Sequence, residues 1–324
     1  MNLHMKSIGA CALLAILMTS GVTAQTWPEK PVRLVLSQPP GSGPDNIGRI
    51  LSDSLSRQLG QSVIVENKPG GQNAIGAQSA AHSPADGYTL YLGTTAALVT
   101  NAYLFKALPY DPRKDFAPIG FIGKSPFAIL VEASSPIASI QDLIAKAKAN
   151  PGEVSIANEG PKTFGGMIAR LLNSRAMIDT NLVPYVSVGA AVQDTLGGRV
   201  TALVADVAST AQFVKQGRLR MLAVTSPKRI EGWEQVPALA EILPGFDMVG
   251  WMAIVAPAGT PDAVIQRVNR ELDKALLDPE VATKIHNIGP ISEGAGTSAR
   301  LAEFLAAEHQ RWAQITKEIG VLPE

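Results

Sequence analysis

Arg33-Leu34-Val35-Leu36-Ser37-Gln38-Pro39-Pro40-Gly41-Ser42-Gly43-Pro44-Asp45-Asn46-Ile47 opens a stretch that runs on to Leu59 and decides the architecture of the chain. The apolar run Leu34-Val35-Leu36 meets a loop rich in glycine and proline, and Ile47, Ile50, Leu51, Leu55 and Leu59 follow at steps of three and four. That spacing puts the five side chains on one face of a helix. Pro44 has the fixed φ and missing N–H that suit a first helical position, and Gly60 stands where a C-terminal cap is wanted. A buried strand thus feeds a glycine loop that feeds a helix. Such a loop turns free N–H groups outward at the positive end of the helix dipole, where an anion can sit. Gly41 and Gly43 equally serve to make the turn that any strand–helix unit needs. Phosphate readings are weak: no Gly-Lys-Ser or Gly-Lys-Thr follows, and the spacing fails the dinucleotide pattern GxGxxG. Asp45 also argues against a highly charged phosphate, because a carboxylate in the first helical turn caps the same amides.

The strand–loop–helix grammar recurs along the chain. Val63-Ile64-Val65 leads through Glu66-Asn67-Lys68-Pro69-Gly70-Gly71-Gln72-Asn73 to a helix over residues 75–81, and Tyr88-Thr89-Leu90-Tyr91-Leu92 runs into Gly93-Thr94-Thr95. In parallel α/β sheets ligands bind at the carboxyl ends of strands, so these loops are placed to share one rim. Further on, Phe121-Ile122-Gly123 and Phe127–Val131 read as two strands, and residues 140–149 as a helix stopped by Asn150-Pro151-Gly152. Val154–Ala157 is a strand that opens into Asn158-Glu159-Gly160-Pro161-Lys162-Thr163, with a helix over 164–172 behind it. Leu182–Tyr185, a helix over 189–196, strands over 200–205 (ending in Asp206) and 219–225, and a return strand over 248–255 complete a second α/β unit. Helices over 261–277 and 297–319 are expected to fold back on the first unit.

Residues 1–24 read as a secretory signal: Lys6, an apolar segment from Ile8 to Met18, and the small-residue site Val22-Thr23-Ala24. The apolar segment is shorter than the roughly 20 residues a membrane-spanning helix needs. The expectation is cleavage after Ala24 and export, with about 300 residues left for one large or two medium domains. The single cysteine, Cys11, lies inside the signal, so the exported chain is expected to have no thiol chemistry. With 28 basic and 28 acidic residues the chain has no electrostatic footprint for nucleic acid.

Several spaced segments carry a family resemblance. They are Pro39-Pro40-Gly41 with Asp45 and Arg49, Val65-Glu66-Asn67-Lys68-Pro69-Gly70, Asp86-Gly87-Tyr88-Thr89-Leu90, Leu108-Pro109-Tyr110-Asp111-Pro112 with Lys114–Pro118, Val183-Pro184-Tyr185, Leu196-Gly197-Gly198, Leu222–Ser226 and Ala256–Pro261. In this order, across nearly the whole chain, they resemble the extracytoplasmic solute receptors of tripartite tricarboxylate transporters, the Bug or TctC-like family. The resemblance implies a type II periplasmic-binding-protein fold, with two α/β lobes joined by crossover strands and a ligand cleft between them. It implies lobe 1 over residues 25–124 and 251–324, lobe 2 over 125–250, and a monomer in the periplasm. The implied partners are a small ligand, a carboxylate or a related compound, and the membrane subunits of the transporter, with no cofactor and no metal.

The resemblance assigns ligand contacts to Gln38, Pro40, Gly41, Ser42 and Asp45, to Asn73, Ala74, Thr94 and Thr95, and, across the cleft, to Asn158, Glu159, Lys162, Thr163, Tyr185 and Asp206. The chain departs from the family pattern in these loops. Gly41-Ser42-Gly43-Pro44-Asp45 stands for the usual Gly-Gly-Gly-Thr-Asp, Gln38 for an aromatic residue, Ala74 for an asparagine, and Val186-Ser187 for Lys-Gly. A serine-rich loop is replaced by residues 158–163. There Lys162 suits a ligand carboxylate, whereas Glu159 suits an amine, an amide or a hydroxyl donor; a solvent-facing loop charge explains either equally well.

Enzyme readings find little footing. His4, His82, His286 and His309 are isolated in sequence, the last three reading as surface helix or loop, and HExxH, paired cysteines and GxSxG are absent. Asp45 and Asp206 could converge for acid–base work, but caps and loops account for both. Trp233 and Trp251 read as core, with hinge or pocket wall as alternatives. A ligand-sensing receptor for a signalling partner would use the same closure as a transport receptor, and the sequence does not separate the two.

Overall fold

β1 (Val32–Leu36) is buried on both faces: Leu34 and Leu36 turn to one side and Val35 to the other, as the two-residue period of a strand requires. In the computed structural model, which describes residues 27–287, 291–318 and 322–323, β2 (Val63–Asn67) and β3 (Thr89–Thr94) flank it in parallel. The signal expected over residues 1–24 lies outside the described residues. α1 (Gly43–Leu59) lays Ile47, Leu51, Leu55 and Leu59 against Leu34 and Leu36. Each such side chain contributes about 1.5–3 kcal/mol on burial. The helix starts where the Ser42 hydroxyl accepts the Asp45 N–H at 3.4 Å, and Gly60, at φ 74°, closes it in the left-handed region. α2 (Ala74–Ala81) covers the other face, where Val35 packs with Ala74, Ala77 and Tyr91. A π-helical turn over Ala96–Thr100 and the short α3 (Asn101–Leu104) follow β3, and neither has a periodic signal in the sequence.

The two runs read from sequence as separate strands belong to one, β4 (Phe116–Glu132), 17 residues long. Pro118, Gly120 and Gly123 look like breaks but are absorbed where the register shifts, between Pro118 and Gly120 and between Phe121 and Gly123. β4 crosses between the lobes. Through Phe116–Pro126 it pairs with the return strand β9 (Val249–Pro257), which is antiparallel to β3. From Phe127 onward it pairs instead with second-lobe strands.

The second lobe comprises α4 (Ile140–Ala149), β5 (Ser155–Asn158), α5 (Phe164–Ala176), β6 (Asn181–Pro184), α6 (Val188–Leu196), β7 (Ala202–Asp206), α7 (Val207–Lys215) and β8 (Leu219–Val224). The strand order through both lobes is β2-β1-β3-β9-β4-β7-β5-β6, with β8 on β4. Thr225 pins the crossover: its hydroxyl accepts the Phe127 N–H at 3.2 Å and donates to the Met248 carbonyl at 2.6 Å.

After β9 come α8 (Asp262–Leu277), α9 (Pro279–Asn287) and α10 (Ser298–Glu318). α8 returns to the first lobe, its Val268 and Leu272 joining the core beneath α1. α10 does more than the sequence suggests, for it spans the hinge. Its Trp312 is fully buried edge-on to Phe164 of the second lobe, with ring centroids 5.9 Å apart, while Glu308 accepts the Trp251 indole N–H of β9 at 2.8 Å. Among the described residues no helix is long and apolar enough to cross a membrane.

Candidate functional site

The loops at the carboxyl ends of β1, β2 and β3 face those that follow β5 and β7, and the lobes touch across the gap. Gly43, at the start of α1, lies so close to Asp206 that a Cβ there would fall on the Asp206 carboxylate oxygen. On the other side the Lys162 ammonium stands 4.3 Å above the ring of Phe105. Between these contacts is a small cavity, with about 60 Å³ open to the centres of water molecules, room for several waters or a compact ligand. A wider groove of about 910 Å³ runs along α10 and shares Trp251 with the cavity. Its charged groups include Arg229, which is paired with Glu241 (2.7 Å), and the pair Arg311–Glu308 (3.2 Å), and the loops that follow β1, β2, β3, β5 and β7 are absent from its lining.

Of the expected contacts, Gln38, Asn73, Thr94, Thr95, Glu159, Thr163 and Asp206 line the cavity. The local sequence explains their positions. Gln38 follows β1 directly; its Nε2 donates to Asn73 Oδ1 at 3.1 Å and Thr94 Oγ1 at 3.4 Å, while its buried Oε1 has no partner. Asn73 ends a turn in which Gly70, Gly71, Gln72 and Asn73 all have positive φ, a region open to glycine and tolerated by asparagine. Thr95 accepts the Trp251 N–H at 2.9 Å and so ties the first-lobe rim to β9. Thr163 caps α5 by accepting the Gly166 N–H at 3.2 Å. Asp206 caps α7, accepting the Ser209 N–H at 2.9 Å and its hydroxyl at 2.7 Å.

The other expected contacts do not line it. Asp45 is turned into its own loop: the carboxylate accepts Gly41 N–H (2.8 Å), Asn67 Nδ2 (2.9 Å) and Arg49 Nε (3.1 Å). Burial opposes that charge, but the bonds from Arg49, Gly41 and Asn67 outweigh it and hold the carboxyl below its usual range. Asp45 is therefore a brace, and it uses one of the loop amides expected to be free. Ser42 is the helix cap, Pro40 and Gly41 are exposed on the outer side, and Ala74 is buried at the start of α2. Asn158 accepts the Gly160 N–H at 2.9 Å and points along β5. Tyr185 donates to Asp194 at 2.8 Å, away from the cavity. Lys162 reaches across to Phe105 instead of inward.

The sequence reading missed Ser125, Phe127, Gly250 and Met252 of the hinge-side wall, and Phe164; Pro44 belongs to the loop it placed at the rim, and Trp251, read as core with pocket wall as an alternative, completes the wall. Phe127 and Phe164 lie 5.3 Å apart and, with Trp251, make this wall aromatic. Within buried strands such residues look like core; only the crossover implied by the family resemblance signals that they border a cleft. Trp233, by contrast, is buried among second-lobe hydrophobics.

The lining is acidic. Burial, and then the neighbouring Asp206 carboxylate, push Glu159 up to about 8. Asp206 is itself raised by burial, against the lowering effect of its bonds from Ser209. Lysine, arginine and histidine are absent from the lining residues. His82 and His286 are exposed, but His309, expected on the surface, is buried beside Tyr103, and burial lowers it to about 4. Among the described residues no cluster of three or more His, Cys, Asp or Glu side chains is disposed to hold a metal ion.

Two α/β lobes joined by crossover strands, meeting around a cavity built from strand-end loops, define a periplasmic-binding-protein architecture. The profile of the tripartite tricarboxylate transporter family receptor matches residues 47–321, and the chain belongs to that family. It is 34% identical to protein BugT of Bordetella pertussis over 301 residues, 92% of each chain. Its fold is similar to that of the periplasmic binding protein BugD (28% identity, TM-score 0.86, 92% of this chain and all of the other). It is also similar to that of Rpa4515 from R. palustris with adipate (29% identity, TM-score 0.88, with the same coverage). The family is one of solute-binding receptors.

Proposed function

We propose that this receptor captures a small organic acid or a related polar metabolite between its lobes in the periplasm. It delivers the compound, chemically unchanged, to the membrane subunits of a tripartite tricarboxylate-type transporter. The observation that carries this reading is the cavity itself: loops from both lobes and the hinge enclose it, so a ligand there binds the closed arrangement and not the open one. A relative with adipate on the same fold supports an organic acid as the ligand class. The lobes, taken as residues 25–124 with 251–324 and residues 125–250, act as a monomer moving about β4 and β9. The hydroxyls that line the cavity with Glu159 and Asp206 have no histidine or lysine among the lining residues to activate them, which favours binding over catalysis.

The test is a thermal-shift screen of the purified protein against mono-, di- and tricarboxylates, aromatic acids, amino acids and amides. A ligand at a hundredfold its dissociation constant adds about 2.7 kcal/mol, which raises the melt by a few degrees. A shift from one chemical class, with the compound recovered intact, is the expected result. A ligand that is consumed would show catalysis, and silence across the whole screen would remove the receptor reading.

A further inference from the structure

The hydrogen-bonding inventory of the cavity is lopsided. On the second-lobe side the Glu159 carboxylate lines the cavity, and among the described residues nothing donates to it. Beside it, Asp206 has a single residue, Ser209, donating to its two oxygens. On the first-lobe side Gln38, only 6% exposed, leaves Oε1 buried and unpartnered. Glu159 and Gln38 thus present oxygens without donors, and each Asp206 oxygen has a single donor, an arrangement that is costly unless something arrives to fill it. The donors left over are few and lie on the first lobe and hinge: Asn73 Nδ2, and the hydroxyls of Thr94 and Ser125. Thr95 and Thr163 already use theirs on Trp251 and Gly160. No cationic side chain lines the space to neutralise a second ligand carboxylate.

We propose that the cavity takes a compact ligand whose second-lobe end is an ammonium or a primary carboxamide seated on Glu159 beside Asp206, with its other polar end on Thr94 and Asn73. This rests on the receptor reading and narrows its ligand class: the preferred solute is an amine- or amide-bearing compound, and a simple dicarboxylate is disfavoured. The aromatic wall of Phe127, Phe164 and Trp251 suits the same ligand, since aromatic faces attract cations and pack on the apolar body between the polar ends. The titration behaviour agrees. Without ligand Glu159 keeps its proton up to about 8; an ammonium or strong donor beside it favours loss of that proton and frees both oxygens as acceptors, whereas a ligand carboxylate would keep it protonated.

Matched probes test it. Binding is measured by titration calorimetry at pH 7.5 for sets sharing one skeleton: succinate, succinamate and β-alanine; glutarate and 4-aminobutyrate; benzoate and benzamide. The expected result is at least tenfold tighter binding of an ammonium or carboxamide member than of its carboxylate counterpart. Glu159→Gln should remove at least tenfold of the ammonium affinity while leaving the carboxylate member unchanged or improved. A merely structural role for Glu159 would instead weaken every probe alike. Should Glu159→Gln fold poorly, Asp206→Asn, which removes the neighbouring carboxylate while keeping a side chain able to cap α7, gives a second reading through loss of the ammonium preference. Tighter binding of the dicarboxylates, or a preference that survives in Glu159→Gln, overturns the proposal and leaves the receptor standing. Silence of the amine and amide members likewise overturns it, and only silence across the broader screen also removes the receptor.

Discussion

Glu159 and Asp45 are both acidic loop residues, and the structure gives them opposite physical roles. Glu159 binds its proton up to about 8 in the folded chain, against an ordinary value of 4.5. Between those values the native state holds more protons than the unfolded one, so stability falls as pH rises through the window. The groups facing it are Asp206, which strengthens the effect, and the uncharged Gln38 and Thr163. His309 titrates the other way, since its lowered value costs stability as pH falls from 6.5 towards 4. The melting temperature of Glu159→Gln minus that of the ligand-free wild type therefore isolates Glu159: near zero at pH 4, positive at pH 8. An unchanged difference across that range would mean that Glu159 is solvated. Asp45, by contrast, has a lowered value, so its stabilisation is present above the usual carboxylate range and lost as pH falls through the folded value. Asp45→Ala strands Asn67, Arg49 and the Gly41 amide, at a cost of about 1–3 kcal/mol in a urea melt at neutral pH. Sequence alone does not distinguish these two residues, because the direction a loop side chain takes depends on partners such as Asn67, 22 positions away.

At the level of the element, legibility follows periodicity. α1 and α4 carry clean amphipathic spacing and caps, so both were readable almost to the residue, and Gly60 and Asn150 end them as expected. α7 was missed because Val207-Ala208-Ser209-Thr210 is short and rich in weak helix formers; its one strong signal, Asp206 as a cap, was absorbed by the reading of Asp206 as a ligand contact. β4 was cut in two because its prolines and glycines look like punctuation, yet Gly120 lies within 3 Å of a Leu272 methyl in Cβ terms and Gly123 makes way for the Ile291 carbonyl. Those glycines mark close packing, not turns. The same logic predicts that Leu51→Ala, fully buried in α1, costs about 2–5 kcal/mol in a denaturant melt. Gly76→Ala in α2 should also lower the melting temperature despite alanine's better helix propensity. The added methyl would meet Ser37 Oγ at 2.5 Å and the Lys68 carbonyl at 2.9 Å, backbone and buried groups that cannot withdraw.

At the scale of the whole molecule, the hinge and the cleft are mechanically one object. Thr95, Trp251 and Glu308 link the first-lobe rim to β9 and then to α10, whose Trp312 touches Phe164 in the cavity wall of the other lobe. Closure is limited by how near the lobes come, and one close approach is Gly43 against Asp206. Asp206 is short and held by Ser209, so it cannot swing clear of a new methyl group. Gly43→Ala therefore loads its cost onto the closed arrangement alone, since within its own lobe the position is an ordinary first-turn site of α1. The melting temperature without ligand should stay near that of the wild type, unlike that of Gly76→Ala. Ligand affinity should fall instead, by about tenfold for each 1.4 kcal/mol by which closure is disfavoured. Small-angle scattering checks the cause: the variant's radius of gyration with saturating ligand should equal or exceed its ligand-free value, while the wild type contracts. Full affinity with normal contraction would show that the lobes close without bringing Gly43 onto Asp206, and the cavity would then be wider in solution than the distance between those two residues allows.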